Sequence, residues 1–301
     1  MNKIFLIAIF VTAFIAACET YPQDEYEEYY VVESYLVANR QLPFVLLSTT
    51  TPADALYDFE EQSVNDADIE IQLLETGPES AVESSFKYQN QLPGIYIPNL
   101  NHKVLPARTY KLQITFPDNN NRITAHTTIP DTFSVVGEVQ DTVVYQSDDQ
   151  LDITLTKSSY PGRQSIFVFN ALAQNDIPQN LTPFYRDIYD ESDNPDKDLN
   201  EFSNNSSGII NEGNFDINPD GSFTIEYPWI GIAFYGTNLI VANAMDDNIY
   251  DFVRSQNVQL GGNTLSPGEI QNVIFHVEGG IGVFGSLATD TVETFIKLPV
   301  F

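Results

Sequence analysis

From Tyr30 onward, apolar and polar positions alternate with a period of two. Tyr110, Leu112, Ile114 and Phe116 alternate with Lys111, Gln113 and Thr115. Ile123, Ala125, Thr127 and Ile129 alternate with Thr124, His126 and Thr128, and Ile69, Ile71 and Leu73 with Glu70 and Gln72. Successive strand residues point to opposite faces, so each segment reads as a strand with one face on a core. Pro117-Asp118-Asn119-Asn120-Asn121 is a turn, and it joins 109–116 to 122–129 as a hairpin. Further strands are expected at 31–38, 44–48 and 85–89. Short strands split by turn signals predict a β-sandwich over residues 30–132.

Ile129-Pro130-Asp131 interrupts this pattern, which places a domain boundary near residue 133. A second β-rich domain is expected over 133–301, with strands at 134–139, 151–156, 165–172, 223–227, 239–245, 272–277 and 291–298. Asn218-Pro219-Asp220-Gly221 reads as a hairpin turn between 215–217 and 223–225. One short helix is predicted: Asp246 or Asp247 caps it, and Ile249, Phe252 and Val253 share a face. The polar stretch 178–214 is too long for a structureless loop in a compact domain. It is a functional excursion or holds structure that the pattern does not reveal.

The N-terminus adds a different kind of signal. Met1-Asn2-Lys3 precedes an apolar run from Ile4 to Ala17, and Ile15-Ala16-Ala17-Cys18 fits a bacterial lipobox. The run is shorter than the about 20 residues a membrane span needs, so residues 1–17 are expected to be a cleaved signal peptide. Cys18 is the only cysteine and would carry the lipid. Each buried methylene contributes about 0.8 kcal/mol, so two or three acyl chains hold firmly where one does not. Residues 18–29 then form an acidic tether, with Glu19, Asp24, Glu25, Glu27 and Glu28.

Charge narrows the function. There are 42 acids against 13 bases, a formal charge of −29. Nucleic-acid binding rests on clustered Lys and Arg, so this balance argues against it. Electrostatic attachment to anionic lipid is disfavoured for the same reason, which leaves the covalent anchor. The hydrophobic share of 43% is ample for packed cores, so the chain is not a disordered one.

The candidate chemistry is sparse. Gly280-Ile281-Gly282-Val283-Phe284-Gly285 matches a dinucleotide-binding spacing but leads into a strand, not a helix. Glycines that admit close strand packing are the better reading. Asp216-Ile217-Asn218-Pro219-Asp220-Gly221 opens like a calcium loop, but its twelfth position is Tyr227. Asp193, Asp196 and Asp198, in an acidic excursion, are the better candidates to gather oxygen ligands for Ca²⁺; no other cofactor is implied. His102, His126 and His276 lack metal spacing to one another. Tyr185 and Arg186, and Trp229 in the run 227–235, read either as core or as a binding surface of the kind aromatic and Arg residues favour.

The chain resembles a family of Bacteroidota lipoproteins catalogued as a domain of unknown function, DUF 4249. The likeness rests on the Cys18 lipobox, Val31-Val32-Glu33-Ser34-Tyr35-Leu36, Val64-Asn65-Asp66-Ala67-Asp68-Ile69 and Pro93-Gly94-Ile95-Tyr96. It continues through Leu105-Pro106-Ala107-Arg108-Thr109-Tyr110, where Pro-Gly would be expected before the strand, and Thr124-Ala125-His126-Thr127-Thr128-Ile129-Pro130. It ends with Ile249-Tyr250-Asp251-Phe252 and Val277-Glu278-Gly279-Gly280-Ile281-Gly282-Val283-Phe284-Gly285. The resemblance implies an all-β chain with an Ig-like or transthyretin-like first domain, and an outer-membrane home beside TonB-dependent receptors. It brings no catalytic residues. In that phylum, Asp24, Glu25, Glu27 and Glu28 resemble a signal that sends lipoproteins to the cell surface. The expected function is a non-enzymatic accessory to an outer-membrane β-barrel. The alternative is a surface protein that itself captures a glycan, peptide or metal chelate; a hydrolase is a third, minor reading.

Overall fold

The computed structural model describes residues 26–117, 121–137, 139–259 and 272–299. No helix among them is long and apolar enough to cross a membrane. The chain is all-β, with three short helices. The first half forms β1 (Tyr30–Val37), β2 (Val45–Thr49), β3 (Asp68–Leu74), β4 (Val82–Leu92), β5 (Ile95–Pro98), β6 (Thr109–Thr115) and β7 (Arg122–Thr128). Their order in the sheet is β1-β2-β5-β4-β3-β6-β7. β4 pairs with β3 along its first part and with β5 from Tyr88 onward. It therefore crosses between the two layers of a sandwich. The alternating residues do as the pattern demands: Val32, Leu36, Ile71, Leu112, Ile114 and Ile123 are completely buried. The β6–β7 hairpin pairs Thr109 with Thr128 and Thr115 with Arg122.

The second half supplies β8 (Val135–Val136), β9 (Thr142–Val144), β10 (Leu151–Leu155), β11 (Ile166–Ala173), β12 (Asn204–Asn211), β13 (Phe223–Tyr227), β14 (Gly236–Met245), β15 (Val277–Glu278) and β16 (Ile281–Lys297). Three strands, β13-β10-β8, make one layer, and β12-β11-β14-β16 make the other. Aromatic rings fill the space between. Phe167 meets Phe133 edge-on at 5.3 Å and Phe223 at 5.5 Å, and Phe169 meets Tyr227 at 6.2 Å.

Several expectations change. The stretch 178–214 holds α1 (Pro183–Glu191), α2 (Pro195–Phe202) and β12. With α3 (Asp247–Gln259), the helices number three among the described residues where one was expected. The turn at 218–221 forms, with Gly221 N–H donating to Asn218 O at 2.8 Å. Residues 215–217 are not a strand, and β13 pairs with β10 instead. The strand expected at 291–298 is the tail of β16, which begins at Ile281 and runs through Gly282 and Gly285.

β16 also decides how the halves relate. From Ile281 to Leu287 it runs parallel to β1, and from Leu287 to Ile296 antiparallel to β14. Just before it, β15 pairs with β7. Residues 277–287 thus complete both layers of the first sandwich, and 287–297 complete the second. One sheet runs across residue 133, and one hydrophobic cluster includes both Val32 and Phe167. Residues 30–132 and 133–301 are therefore not two separate sheets. A pairing between the first and last strands leaves no local trace near residue 133.

Two features pin this junction. Gly282 has φ +114°, and a Cβ there would lie 2.0 Å from Val32 O. Only glycine lets the two backbones approach so closely. Further along the strand, beside Gly285, Asp246 is wholly buried. Its carboxylate accepts from Ile249 N–H at 2.9 Å, capping α3, and from the Thr127 hydroxyl at 2.5 Å. Thr127 Oγ1 is also 2.6 Å from Ser286 Oγ, so β7, α3 and β16 meet at one polar knot. Asn248 Nδ2 extends it by donating to His126 O at 2.6 Å and Phe284 O at 2.7 Å. Burial pushes the Asp246 carboxyl up to about 6, against hydrogen bonds that favour its charge; the adjacent Asp247 raises it further.

Two predictions follow from the shared strand. Gly282→Val is expected to destabilise the protein by ~3 kcal/mol or more through backbone clash and strain. The sole tryptophan, Trp229, reports on the second sandwich. Its fluorescence transition in urea is expected to shift together with far-UV circular dichroism. A Trp229 transition unmoved while the dichroism shifts would mean that β16 does not couple the halves.

The second concerns pH. A raised carboxyl pKa means the fold holds the Asp246 proton more tightly than the unfolded chain does. That stabilisation is complete below about pH 4 and is lost as pH rises through about 6. Asp246→Asn keeps a cap acceptor and removes the titration. Relative to the variant, the wild type is expected to lose about 2 kcal/mol between about pH 4.5 and pH 7. Parallel stability curves for the two proteins in urea would refute it.

Candidate recognition surface

The insertion between β11 and β12 carries the sequence-nominated aromatics. Pro183 and Pro195 open α1 and α2 at positions where a missing N–H costs nothing. Tyr185 faces inward. Its hydroxyl donates to Ile230 O at 2.6 Å and accepts from Asn205 Nδ2, also at 2.6 Å. Asn205 itself reaches Ile230 O at 3.0 Å. The ring packs edge-on against Phe202 at 4.9 Å and sits with Leu181, Ala233 and Phe234 in a small core. Burial raises the phenol above its ordinary range. Tyr185 is buried and therefore fastens the insertion to β12 and to the loop after β13.

Trp229 is half-buried and opens a single helical turn, Trp229–Gly231. Its ring meets Tyr145 edge-on at 5.3 Å, and Tyr145 meets Tyr235 at 5.5 Å. Arg186 is half-buried, and its Nε is enclosed without a hydrogen-bond partner among the described residues. Burial raises the Tyr235 phenol, and the nearby Arg186 charge partly offsets that rise. Tyr235 belongs to the aromatic run 227–235, but Tyr145 was not legible as part of this cluster, because it lies 84 residues before Trp229 and reaches it only through the fold. The exposed apolar residues here are Phe184 and Ile188 on α1, and Ile230, which is 58% exposed. They offer a surface for contact, while the aromatics beneath serve packing.

The acidic candidates do not converge. Asp193 is exposed, and Asp196 and Asp198 occupy the first turn of α2, where negative charge complements the helix dipole. Among the described residues, no three His, Cys, Asp or Glu side chains gather as a metal site would require. Asp220 is used by its own turn, accepting from Ser222 N–H at 2.9 Å and from its hydroxyl at 2.7 Å. These bonds hold its carboxyl below the usual range.

The histidines take structural places. His102 stacks on Phe86 at 4.2 Å and lies 2.9 Å from Tyr110 OH. His276 Nε2 is 2.8 Å from Asp251 Oδ2. Burial lowers both His102 and His126. The structure does bring His126 and His276 to one shallow cavity of about 340 Å³, with Glu278 and Asn248. At the N-terminus, Cys18, Asp24 and Glu25 lie outside the described residues. Glu27 and Glu28 are exposed, and Tyr29 OH donates to Glu27 at 2.7 Å. Tyr26 OH lies 2.8 Å from Thr50 Oγ1, which holds the first described residue to the end of β2.

Solved structures give only remote likenesses. A tetra-tandem repeat from the extending region of a large adhesion protein is 9% identical with a TM-score of 0.25, over 90% of this chain and 50% of that one. A Salmonella alpha-2-macroglobulin reacted with methylamine is 12% identical with a TM-score of 0.24, over 90% of this chain and 15% of that one. The chain thus spans half the first and a small part of the second, and neither likeness carries a functional inference. No curated protein matches. The model of one family, described as a domain of unknown function (DUF4249), matches residues 19–293, and the chain belongs to that family.

Proposed function

We propose that this protein is a non-enzymatic outer-membrane lipoprotein, anchored through Cys18 and facing the cell surface. In this reading it is accessory to an outer-membrane β-barrel, first of all a TonB-dependent transporter. The observation that carries it is the order lipobox, acidic tether, pinned strand. Ile15-Ala16-Ala17-Cys18 is followed at once by acids, and the first described residue, Tyr26, is already bound to Thr50. The step from Cys18 to Tyr26 spans at most about 30 Å. A body tethered this closely to a bilayer meets other membrane components sideways, which suits an accessory to an integral barrel. The exposed Phe184, Ile188 and Ile230 supply apolar contact area for such a partner. No cofactor enters this reading.

Cys18→Ala is expected to move the protein from the membrane pellet to the soluble fraction. Mature variant that still sediments without a partner would sink the anchor. Protease added to intact cells is expected to digest the wild type. Replacing Asp24, Glu25, Glu27 and Glu28 together with Ala is expected to protect the protein while it stays membrane-bound. Wild-type protein cut only after lysis would overturn the surface orientation. Purification in mild detergent is expected to retain a β-barrel protein; a monomer carrying a small ligand would favour capture instead.

A further inference from the structure

β14 covers one side of β16 without interruption from Leu287 to Ile296. The other side is covered in two pieces. β1 pairs with 281–287, and β9 pairs with 295–297, both parallel. Between them, over 288–294, no strand is paired on that side among the described residues. Three bonds fix which groups face this gap. Leu287 O accepts from Ala38 N–H at 2.8 Å, Phe295 N–H donates to Asp141 O at 2.9 Å, and Lys297 O accepts from Tyr145 N–H at 3.0 Å. Odd-numbered main-chain groups therefore point away from β14. The β14–β16 ladder has no register shift, so Thr289, Thr291 and Glu293 present theirs to the gap as well. Thr291 N–H is satisfied by the side chain of its own neighbour, Asp290, at 2.9 Å. The N–H and C=O groups of Thr289 and Glu293, and Thr291 C=O, have no hydrogen-bond partner among the described residues.

We infer that this interrupted edge of β16 is a strand-addition site, and that its occupant is an extended, basic segment of a partner protein. The gap is about 23 Å long at roughly 3.3 Å per residue, enough for a short strand. Side-chain bonds tie Asp290 to Val135 N–H at 2.7 Å and the Thr294 hydroxyl to Gln140 O at 2.8 Å, and leave the gap-facing main chain of Thr289 and Glu293 free of them. A cavity of about 650 Å³ lies along it, walled by Val135, Gly137, Val139, Gln140 and Asp141 opposite residues 290–293. Main-chain hydrogen bonds would supply the affinity of such a strand, and the flanking side chains its selectivity. Those side chains include the carboxylates of Asp141 and Glu293, beside Asp290, whose two oxygens accept from Val135 N–H and Thr291 N–H, and no Lys or Arg lines the cavity. An incoming strand therefore needs basic residues, interleaved with apolar ones for Val135 and Val139. The chain's own tether, with Glu27 and Glu28, has the wrong sign. The inference stands on sheet geometry and does not depend on the lipid anchor or on a barrel partner.

The test uses the full chain in detergent and a blocked seven-residue peptide of alternating Lys and Val, with a Glu–Val peptide as control. Thr291→Pro removes a gap-facing N–H and places a ring in the gap. It leaves the even-numbered bonds to β14 intact, as an edge position allows. The Lys–Val peptide is expected to bind the wild type, and to slow amide exchange at Thr289 and Glu293. Affinity is expected to fall at least tenfold in Thr291→Pro and with the Glu–Val peptide. Absence of binding, equal binding to the variant, or unchanged exchange at those two amides would overturn the inference. So would amides already protected in the free chain, which would mean that the chain fills its own gap. If the variant does not fold, exchange in the wild type decides the matter alone.

Discussion

The whole architecture depends on one strand pairing in two directions. β16 lies parallel to β1 and then antiparallel to β14, so its hydrogen bonds are spread over both sandwiches. Neither unit can close its sheet without it. The constraint is steric before it is energetic, because Val32 O occupies the space that a side chain at residue 282 would need. The glycine-rich run that superficially matches a phosphate loop is thus a record of backbone proximity.

A polar knot accompanies that proximity. Burying Asp246 is costly, and the cost is offset by a helix N-terminus and by the Thr127 hydroxyl of β7, which also meets the Ser286 hydroxyl of β16. Because Thr127 and Ser286 lie 159 residues apart, the knot forms only when the last strand has docked. Satisfied buried networks of this kind favour one arrangement over its near alternatives. Gly285 adds to the same fit, since a Cβ there would lie 2.4 Å from Ile249 Cγ1.

The sheet's exposed edges are handled unequally. β12 is bulged opposite Phe169, with Gly208 at φ +75° and Ser207 Oγ accepting from Phe169 N–H at 3.0 Å. A bulge blunts an edge against unwanted pairing. The interrupted side of β16 has no such device, and acids border it instead. Around the insertion, packing has taken Tyr185 for structure and left Phe184 and Ile230 outside. The apolar patch and the acidic edge therefore lie in different places on one body held together by β16.

Period-two alternation and turn chemistry were enough to place the hairpin of β6 and β7, the strands β1 to β3, and the start of α3 at Asp246 or Asp247; the structure chose Asp246 as the cap. These are local signals, carried by residues a few positions apart. The run Ile15-Ala16-Ala17-Cys18, read as a lipobox, and the acids that follow it are also local, and belong to the sequence alone. β12 escaped because Asn-Asn-Ser-Ser-Gly at a bulged edge shows no alternation, and α1 and α2 are too short and polar to stand out from a loop. The candidate site was legible only as residue types: Tyr185, Arg186 and Trp229 were visible, but not that Asn205 and Ile230 O would engage the tyrosine hydroxyl. The pairing of residues 281–287 with 31–37 was out of reach for a deeper reason. Local pattern tells which face of a strand is buried, but the choice of neighbour is made by packing and hydrogen bonding between segments some 250 residues apart. That choice, made only in the tertiary structure, joined two expected domains into one sheet.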